Sequence, residues 1–360
     1  MRQGSIDVVD LAKLEEQPQD RPRYEVRPRD VLLVEGHANP HQIGRCAIVP
    51  PEHAGLLYQN HLFRLRFNGA VPEFAQMWLN SQYIRKYWLS RCATSSGLYT
   101  INSRLLADVP FPMLSIQEQE GVVGINAAVG QQIAALGRVL DKVRIAESAL
   151  AAVALRQVGA AGPRLDSVAT VAAGVTLGSE PVGDGTVELP YLRVANVLDG
   201  RIDTTDVKTV RIVKTQYERY ALRKGDLLLT EGGDLDKLGR GAVWDGRIDE
   251  CLHQNHVFRV RCGEQMLPDF LALYTASPEG RAYFQRVGKQ TTNLASINST
   301  QVKQMPVPVP PVEEQRRLLG PVHAARERAA VLKQQIAKLR TIQQGVVEDL
   351  LSGRTRANRT

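Results

Sequence analysis

At 360 residues the chain exceeds one ordinary domain and has material for two, each with its own core. Its 45 Lys and Arg against 38 Asp and Glu leave a formal charge of +7, which permits a polyanionic partner without requiring one. No apolar run approaches the ~20 residues of a membrane span, and Met1–Ser5 starts no signal peptide. The four cysteines (Cys46, Cys92, Cys251, Cys262) form no CxxC pair, so a soluble, cytoplasmic protein with reduced thiols and no membrane partner is expected.

In chain order, residues 1–115 are expected to form a first globular domain. Its apolar run Val31–Val34 follows Asp30 and precedes Glu35-Gly36. Gly44-Arg45 comes next, then Gln59-Asn60-His61 before the strand-like Leu62–Arg66. A hydroxyl-rich loop, Thr94-Ser95-Ser96-Gly97, and the tripeptide Ile101-Asn102-Ser103 close it. Residues 116–158 then read as one long helix, with Val122, Val129, Ile133, Leu136, Leu140, Val143 and Leu150 at three- and four-residue steps. Residues 159–164, small residues and Pro163, are a linker.

A second globular domain is expected over 165–312. Val168–Val171, Tyr191–Val194, Leu227–Thr230 and Val257–Val260 read as strands, and Pro268–Tyr283 as a helix. Pro306–Pro311 cannot be helical and marks the exit. A second long helix follows over 313–352, opened by Glu313-Glu314-Gln315, with an apolar stripe at Leu318, Val322, Ala325, Ala329, Leu332, Ile336, Leu339, Val346 and Leu350. Residues 353–360 form a basic tail.

The second half repeats the first at an offset of 196. Asp30–Gly36 meets Asp226–Gly232, Ile101-Asn102-Ser103 meets Ile297-Asn298-Ser299, and Gln119 meets Gln315. With one shifted residue, Gln59-Asn60-His61 meets Gln254-Asn255-His256. The fold class expected is α+β: two mixed α/β globular domains separated by a pair of long antiparallel coiled-coil helices. The seam residues would be Val129, Ile133, Leu136, Leu140, Val143, Ala325, Ala329, Leu332, Ile336 and Leu339. The competing reading packs each helix on its own domain. Helices of this length, about 55–60 Å at ~1.5 Å per residue, would set a distance between the domains. A charge in place of Leu332 or Leu136 is expected to splay the pair.

No catalytic motif survives inspection. Gly232–Gly241 lacks the Lys-Ser/Thr of a phosphate-binding loop, and HExxH, GxSxG and an Asn/Asp-Pro-Pro-Tyr/Phe motif are absent. His253 and His256 beside Cys251 and Cys262 could suggest zinc, and Asp234, Asp236 and Lys237 a nuclease, but the first copy preserves neither set. The chain is expected to bind no metal or cofactor and to do no chemistry.

The remaining candidates are DNA contacts: Arg45, Gln59, Asn60, His61, Thr94, Ser95, Ser96, Lys237, Arg240, Gln254, Asn255, His256, Lys289, Gln290, Thr291, Thr292 and Asn293. Arg suits guanine and phosphate, Asn and Gln suit adenine, and Ser and Thr suit either. Residues that scarcely differ between copies, Gln-Asn-His and Ile-Asn-Ser, are as well explained by a structural role. Discrimination is expected from the divergent loops: His37–His41 against Gly233–Leu238, and Thr94–Leu98 against Gln290–Leu294.

These features together (two globular halves, Pro-Val-Pro-like exits, Glu-Glu-Gln-start helices and the closing Gln344–Gly353) resemble the DNA specificity subunit of type I restriction–modification systems across nearly the whole chain. The resemblance implies two target-recognition domains, each reading half of a bipartite, gapped site in double-stranded DNA. It implies helices that fix the gap and dock two modification (adenine N6 methyltransferase) subunits, with separate restriction subunits that translocate and cut. S-adenosylmethionine, and ATP with Mg2+, would then be bound by those partners. A protein-assembly scaffold that binds no DNA, or a self-contained nuclease or methyltransferase, are the other classes considered. One departure stands out: Leu165–Asn196 has no counterpart in the first copy, so the first recognition domain is expected to be shortened and the weaker reader.

Overall fold

The computed structural model describes residues 4–8, 11–15, 17–95, 97–159, 162–178, 181–234, 237–290 and 295–351. Two compact units divide the chain: Met1–Val139 with Leu332–Thr360, and Leu140–Val331.

In the first unit, helix α1 (Asp20–Tyr24) precedes strands β1 (Val31–Val34), β2 (Gly36–His37), β3 (Cys46–Ile48), β4 (Leu62–Leu65), β5 (Ala93–Ser95) and β6 (Leu98–Thr100). The apolar β1 is buried along its whole length and takes the centre of an antiparallel sheet ordered β3-β1-β4. Helices α2 (Pro72–Leu79) and α3 (Gln82–Arg91) supply Phe74, Trp78, Tyr87 and Trp88 to the core beside it, and α4 (Ser103–Ala107) follows the β5–β6 hairpin.

The second unit repeats this frame and adds to it. Its strands are β7 (Ala169–Ala173), β8 (Thr186–Leu192), β9 (Val197–Leu198), β10 (Arg201–Ile202), β11 (Lys208–Val213), β12 (Leu227–Thr230), β13 (Gly232–Gly233), β14 (Gly241–Val243), β15 (Leu252–His253), β16 (Val257–Cys262), β17 (Lys289–Gln290) and β18 (Ala295–Ser296). Helices α6 (Tyr217–Tyr220), α7 (Pro268–Thr275), α8 (Pro278–Val287) and α9 (Ser299–Lys303) complete it. The sheet β14-β12-β16 matches β3-β1-β4 and carries β7 on its outer edge, whereas β4 has no outer neighbour among the described residues. A further sheet, β11-β8-β15, takes its central strand, β8, from the segment without a sequence counterpart.

Two sequence expectations need correction here. Tyr191–Val194 does not continue as strand, because buried Asn196 accepts the Arg193 N–H at 2.9 Å and donates to the Asp203 and Asp206 carbonyls, ending β8. Pro268–Tyr283 is two helices, broken where Ser277 precedes Pro278 and caps α8 by accepting from Gly280 N–H at 3.1 Å.

The residues shared by the two halves are mostly structural. Asn102 and Asn298 cap α4 and α9, accepting from Leu105 and Gln301 N–H, which accounts for Ile-Asn-Ser. Asp30 and Asp226 each hold an arginine in a two-bond clasp, Arg66 and Arg261, with every N–O distance 2.7 Å. Arg64 and Arg259 donate to the Glu25 and Ala221 carbonyls at 2.6 and 2.8 Å, so the paired arginines brace the fold, although Arg66 remains exposed.

Gly44 and Gly239 sit at φ +66° and +65°, and an added Cβ would lie 2.3 Å from Trp88 Nε1 or 2.2 Å from Phe284. Aromatic contact and a left-handed backbone, not loop flexibility, fix these glycines. Gly239→Ala should lower stability by about 2 kcal/mol in denaturant unfolding; a loss below about 0.5 kcal/mol would contradict the close approach.

Two long helices, α5 (Ile116–Val158) and α10 (Val312–Leu351), each start from a buried glutamine. Gln119 accepts from Val71 N–H and donates to the Leu114 carbonyl; Gln315 accepts from Leu267 N–H and donates to the Gln265 and Pro310 carbonyls, all at 2.8–2.9 Å. Gln315→Ala leaves three part-buried backbone groups without this partner and should cost about 2 kcal/mol, read as a lower urea midpoint.

The helices pair antiparallel in each unit. In the second, Arg326 donates to Glu147 at 2.7 Å and Arg317 to Gln157 at 3.3 Å; in the first, Gln343 donates to Asn126 Oδ1 at 2.9 Å. Leu140, Ala329, Leu332 and Ile336 are buried, and Val129, Ile133, Leu136, Val143, Ala325 and Leu339 are half-buried, forming the predicted stripe. The stripe is narrower at its ends than the sequence suggests. Val122, Leu318 and Val322 join the globular cores, while Leu150 and Val346 turn outward. The Leu350 side chain and the tail 353–360 lie outside the described residues.

Candidate nucleic-acid interface

Each unit carries a small three-stranded sheet beside the main one, in the orders β2-β6-β5 and β13-β18-β17. Its position follows from a single residue at the end of the central strand. Glu35 donates its N–H to the His61 carbonyl at 3.0 Å and accepts from Ile101 N–H at 2.8 Å; Glu231 repeats both bonds with His256 and Ile297 at 3.0 and 2.8 Å. The chain leaving β1 or β12 is thereby stitched both to the Gln-Asn-His turn and to the exit of the hairpin.

The small sheets bring together segments far apart in sequence. His37 lies opposite Tyr99, and Thr94 pairs with Tyr99 from the other side; Gly233 and Gln290 both pair with Ala295. Described ends of the divergent loops named from sequence, His37 with Thr94 and Gly233 with Gln290, thus meet in one sheet in each half. Ser96, Thr291, Thr292 and Asn293 lie outside the described residues; Thr94, Ser95 and Gln290 are placed by their backbones alone. Lys289 is exposed on β17. Lys237 is exposed and ion-paired with Asp234.

Gln59 and Asn60 are exposed, and Gln254 and Asn255 half-buried. Their backbones form the turn before β4 and β16, with Leu62 N–H donating to the Gln59 carbonyl and Val257 N–H to the Gln254 carbonyl. His61 and His256 are both exposed: His61 Nδ1 lies 3.4 Å from Glu35 and His256 Nδ1 lies 2.5 Å from Glu231. Arg45 and Arg240 are less available than their sequence positions suggest. Both are half-buried, Arg45 donates to Gln42 at 2.6 Å, and the Nε atoms of both are buried without a hydrogen-bond partner.

Sequence reasoning named the His37 loop but not the state of its ring. His37 Nδ1 accepts the Asn39 N–H at 2.9 Å, which leaves Nε2 as the ring nitrogen open to a ligand. Asn39 in turn accepts from His41 N–H, so the loop is rigidly wired.

Behind the surface the electrostatics serve the frame. Burial raises the Asp30 carboxyl, but the bonds from Arg66 and from Arg27 N–H outweigh it and hold the group below the ordinary carboxylate range. His253, with its Nδ1 2.7 Å from the Val257 carbonyl, is fully buried, and burial pushes its pKa down to about 4. It faces the core, and among the described residues no group of three His, Cys, Asp or Glu could hold a metal ion. No helix is long and apolar enough to cross a membrane among the described residues.

No protein-family model matches the chain. Among characterised proteins, the EcoKI specificity subunit of Escherichia coli K12 is 26% identical over 183 residues, covering 49% of this chain and 39% of that protein. The EcoBI specificity subunit of Escherichia coli is 24% identical over 189 residues, covering 50% and 38%. The chain therefore matches about two fifths of the length of these relatives. A solved chain, described under complex assembly and conformational transition of the type I R-M system, has the same fold. Its TM-score is 0.59 at 16% identity, over 91% of this chain and 82% of that one. The chain is thus similar in sequence to specificity subunits of type I restriction enzymes and similar in fold to the solved type I R-M chain.

Proposed function

We propose that the chain is the DNA-reading subunit of a type I restriction–modification complex, with each unit reading one half of a bipartite, gapped site through its small sheet. The observation that carries this is the contrast within those sheets. The frame is the same in both halves, down to the Glu35 and Glu231 stitches, while the turns that project from it differ in sequence. A constant frame with variable turns is what two readers of different half-sites need. Basic and amide side chains on those turns meet DNA, and binding weakens steeply with salt as counterions are displaced from phosphates. The chain itself does no chemistry. S-adenosylmethionine, and ATP with Mg2+, belong in this reading to partner modification and restriction subunits.

Docking of two modification subunits is supported by a second duplication. In the second unit a cleft of about 840 Å³ is lined by Ser148, Ala151, Ser277 and Arg281. In the first, a cleft of about 390 Å³ is lined by Ser81, Arg85, Gln344 and Val347, which stand at the repeat spacing from those four. Two equivalent clefts suit two copies of one partner. The longer second domain, with β7 and the β11-β8-β15 sheet, is the stronger reader in this proposal.

The test is co-purification with the modification subunit encoded beside it, followed by mapping of methylated adenines in the host genome. A gapped two-part motif is expected. A single half-site, or a palindrome of one half-site, would assign reading to the second domain alone. A stable complex that methylates no defined sequence would refute the DNA-reading role.

A further inference from the structure

The two reading sheets differ in their turns, yet each is flanked by the same exposed imidazole–carboxylate pair. His61 sits 3.4 Å from Glu35 with side-chain exposures of 72% and 32%, and His256 sits 2.5 Å from Glu231 with exposures of 55% and 30%. Each pair spans the junction of the main sheet and the small sheet, because the glutamate ends the central strand and the histidine begins its neighbour. A core constraint explains the backbone bonds of these residues. It does not explain why both halves keep an imidazole in solvent with a carboxylate behind it.

We propose that His61 and His256 are sequence-independent phosphate contacts of the two half-sites, and that Glu35 and Glu231 are their positioning residues. This rests on the DNA-reading function proposed above. A residue that reads bases must differ between two different half-sites, but a residue that grips the backbone meets the same phosphate in both. The carboxylate accepts a hydrogen bond from Nδ1–H, which leaves Nε2, across the ring, for a ligand. A ring carrying protons on both nitrogens offers two N–H donors, one for the glutamate and one for a phosphate oxygen. Among the described residues, Glu231 is the charged group within ion-pair distance of His256, and Glu35 of His61. His37 contrasts with them, since its Nδ1 accepts a backbone N–H and nothing stands in its place on the second sheet but Gly233.

The experiment uses the full chain in complex with its modification subunits. Binding to a cognate duplex and to a scrambled duplex is measured across a potassium chloride series, with thermal midpoints as a folding check. His256→Gln is expected to weaken binding to both duplexes by the same factor, about tenfold. It should reduce the slope of log affinity against log salt by about 1. Glu231→Gln, which keeps an acceptor but loses the charge, should give the same loss, and the double variant should add nothing further. His61→Gln and Glu35→Gln repeat the test in the other half should either second-half variant fail to fold. An unchanged salt slope, a changed methylation motif, or additive losses in the double variant would each overturn the proposal. If the wild-type complex shows neither salt-dependent duplex binding nor a methylated motif, the DNA-reading function itself falls; if it shows both and the variants match it, only the histidine assignment does.

Discussion

Asp226→Ala should destabilise the second unit by about 3 kcal/mol, the low end of what is lost when one partner of a buried ion pair is removed. The carboxylate is 1% exposed and accepts both bonds of the Arg261 clasp as well as the Arg223 N–H at 2.7 Å. Truncation leaves that N–H without its acceptor and a guanidinium whose remaining bond is to the Ala221 carbonyl at 3.3 Å. Arg261 is 27% exposed, so water relieves part of the penalty, which is why the estimate stays at the low end. Replacing both partners with apolar residues of similar volume should cost less than the single change. Urea unfolding of the two variants checks this, and a single variant within about 1 kcal/mol of wild type would show that the clasp is incidental. Asp30 and Arg66 make the same clasp in the first unit, so Asp30→Ala should behave alike.

The second unit should also lose roughly 3 kcal/mol of stability between pH 6.5 and pH 4 through His253 alone. Burial depresses the pKa of this ring from 6.5 to about 4, helped by the nearby positive charge of Arg259 and opposed by its bond to the Val257 carbonyl. The unfolded chain therefore binds a proton that the native ring refuses. The contribution is fully present above the unfolded pKa and falls away as pH drops toward the folded value. His253→Gln, which cannot titrate, should flatten the pH dependence across that window. An equally steep acid loss in this variant would place the sensitivity elsewhere. The matched position in the first half is Tyr58, a residue type that does not titrate in acid, so acid should loosen the second unit preferentially.

What the sequence disclosed and what it hid have separate physical origins. The long helices were legible because their apolar stripes recur over about ten turns, and the burial of Leu140 and Ala329 in one unit and of Leu332 and Ile336 in the other follows them. Their ends were not, since Leu318 and Leu150 carry the same period while one faces a globular core and the other solvent. The repeat exposed the frame, yet repetition alone does not separate support from contact. Ile-Asn-Ser is a helix cap and the arginines after Gln-Asn-His are internal braces, which only their hydrogen bonds reveal. The convergence of the His37 and Thr94 loops on one sheet depends on pairing between strands about sixty residues apart, a non-local choice no window of sequence contains. The end of β8 turned on Asn196, whose side chain satisfies three backbone groups at once.

The two units differ in how they are strung along the chain. The second is one continuous stretch, Leu140–Val331, and the first needs Leu332 onward to be whole, with Val347 of α10 packed against the core that Val31, Phe74 and Trp88 form. On a ribosome, which delivers the chain from its N-terminus, the order of completion is therefore inverted. The half made first must wait, with part of its apolar surface uncovered, until the half made second has emerged. A pause or a premature stop between residues 331 and 347 would release a finished second unit tethered to an open first one, the species in this protein most exposed to proteases and chaperones.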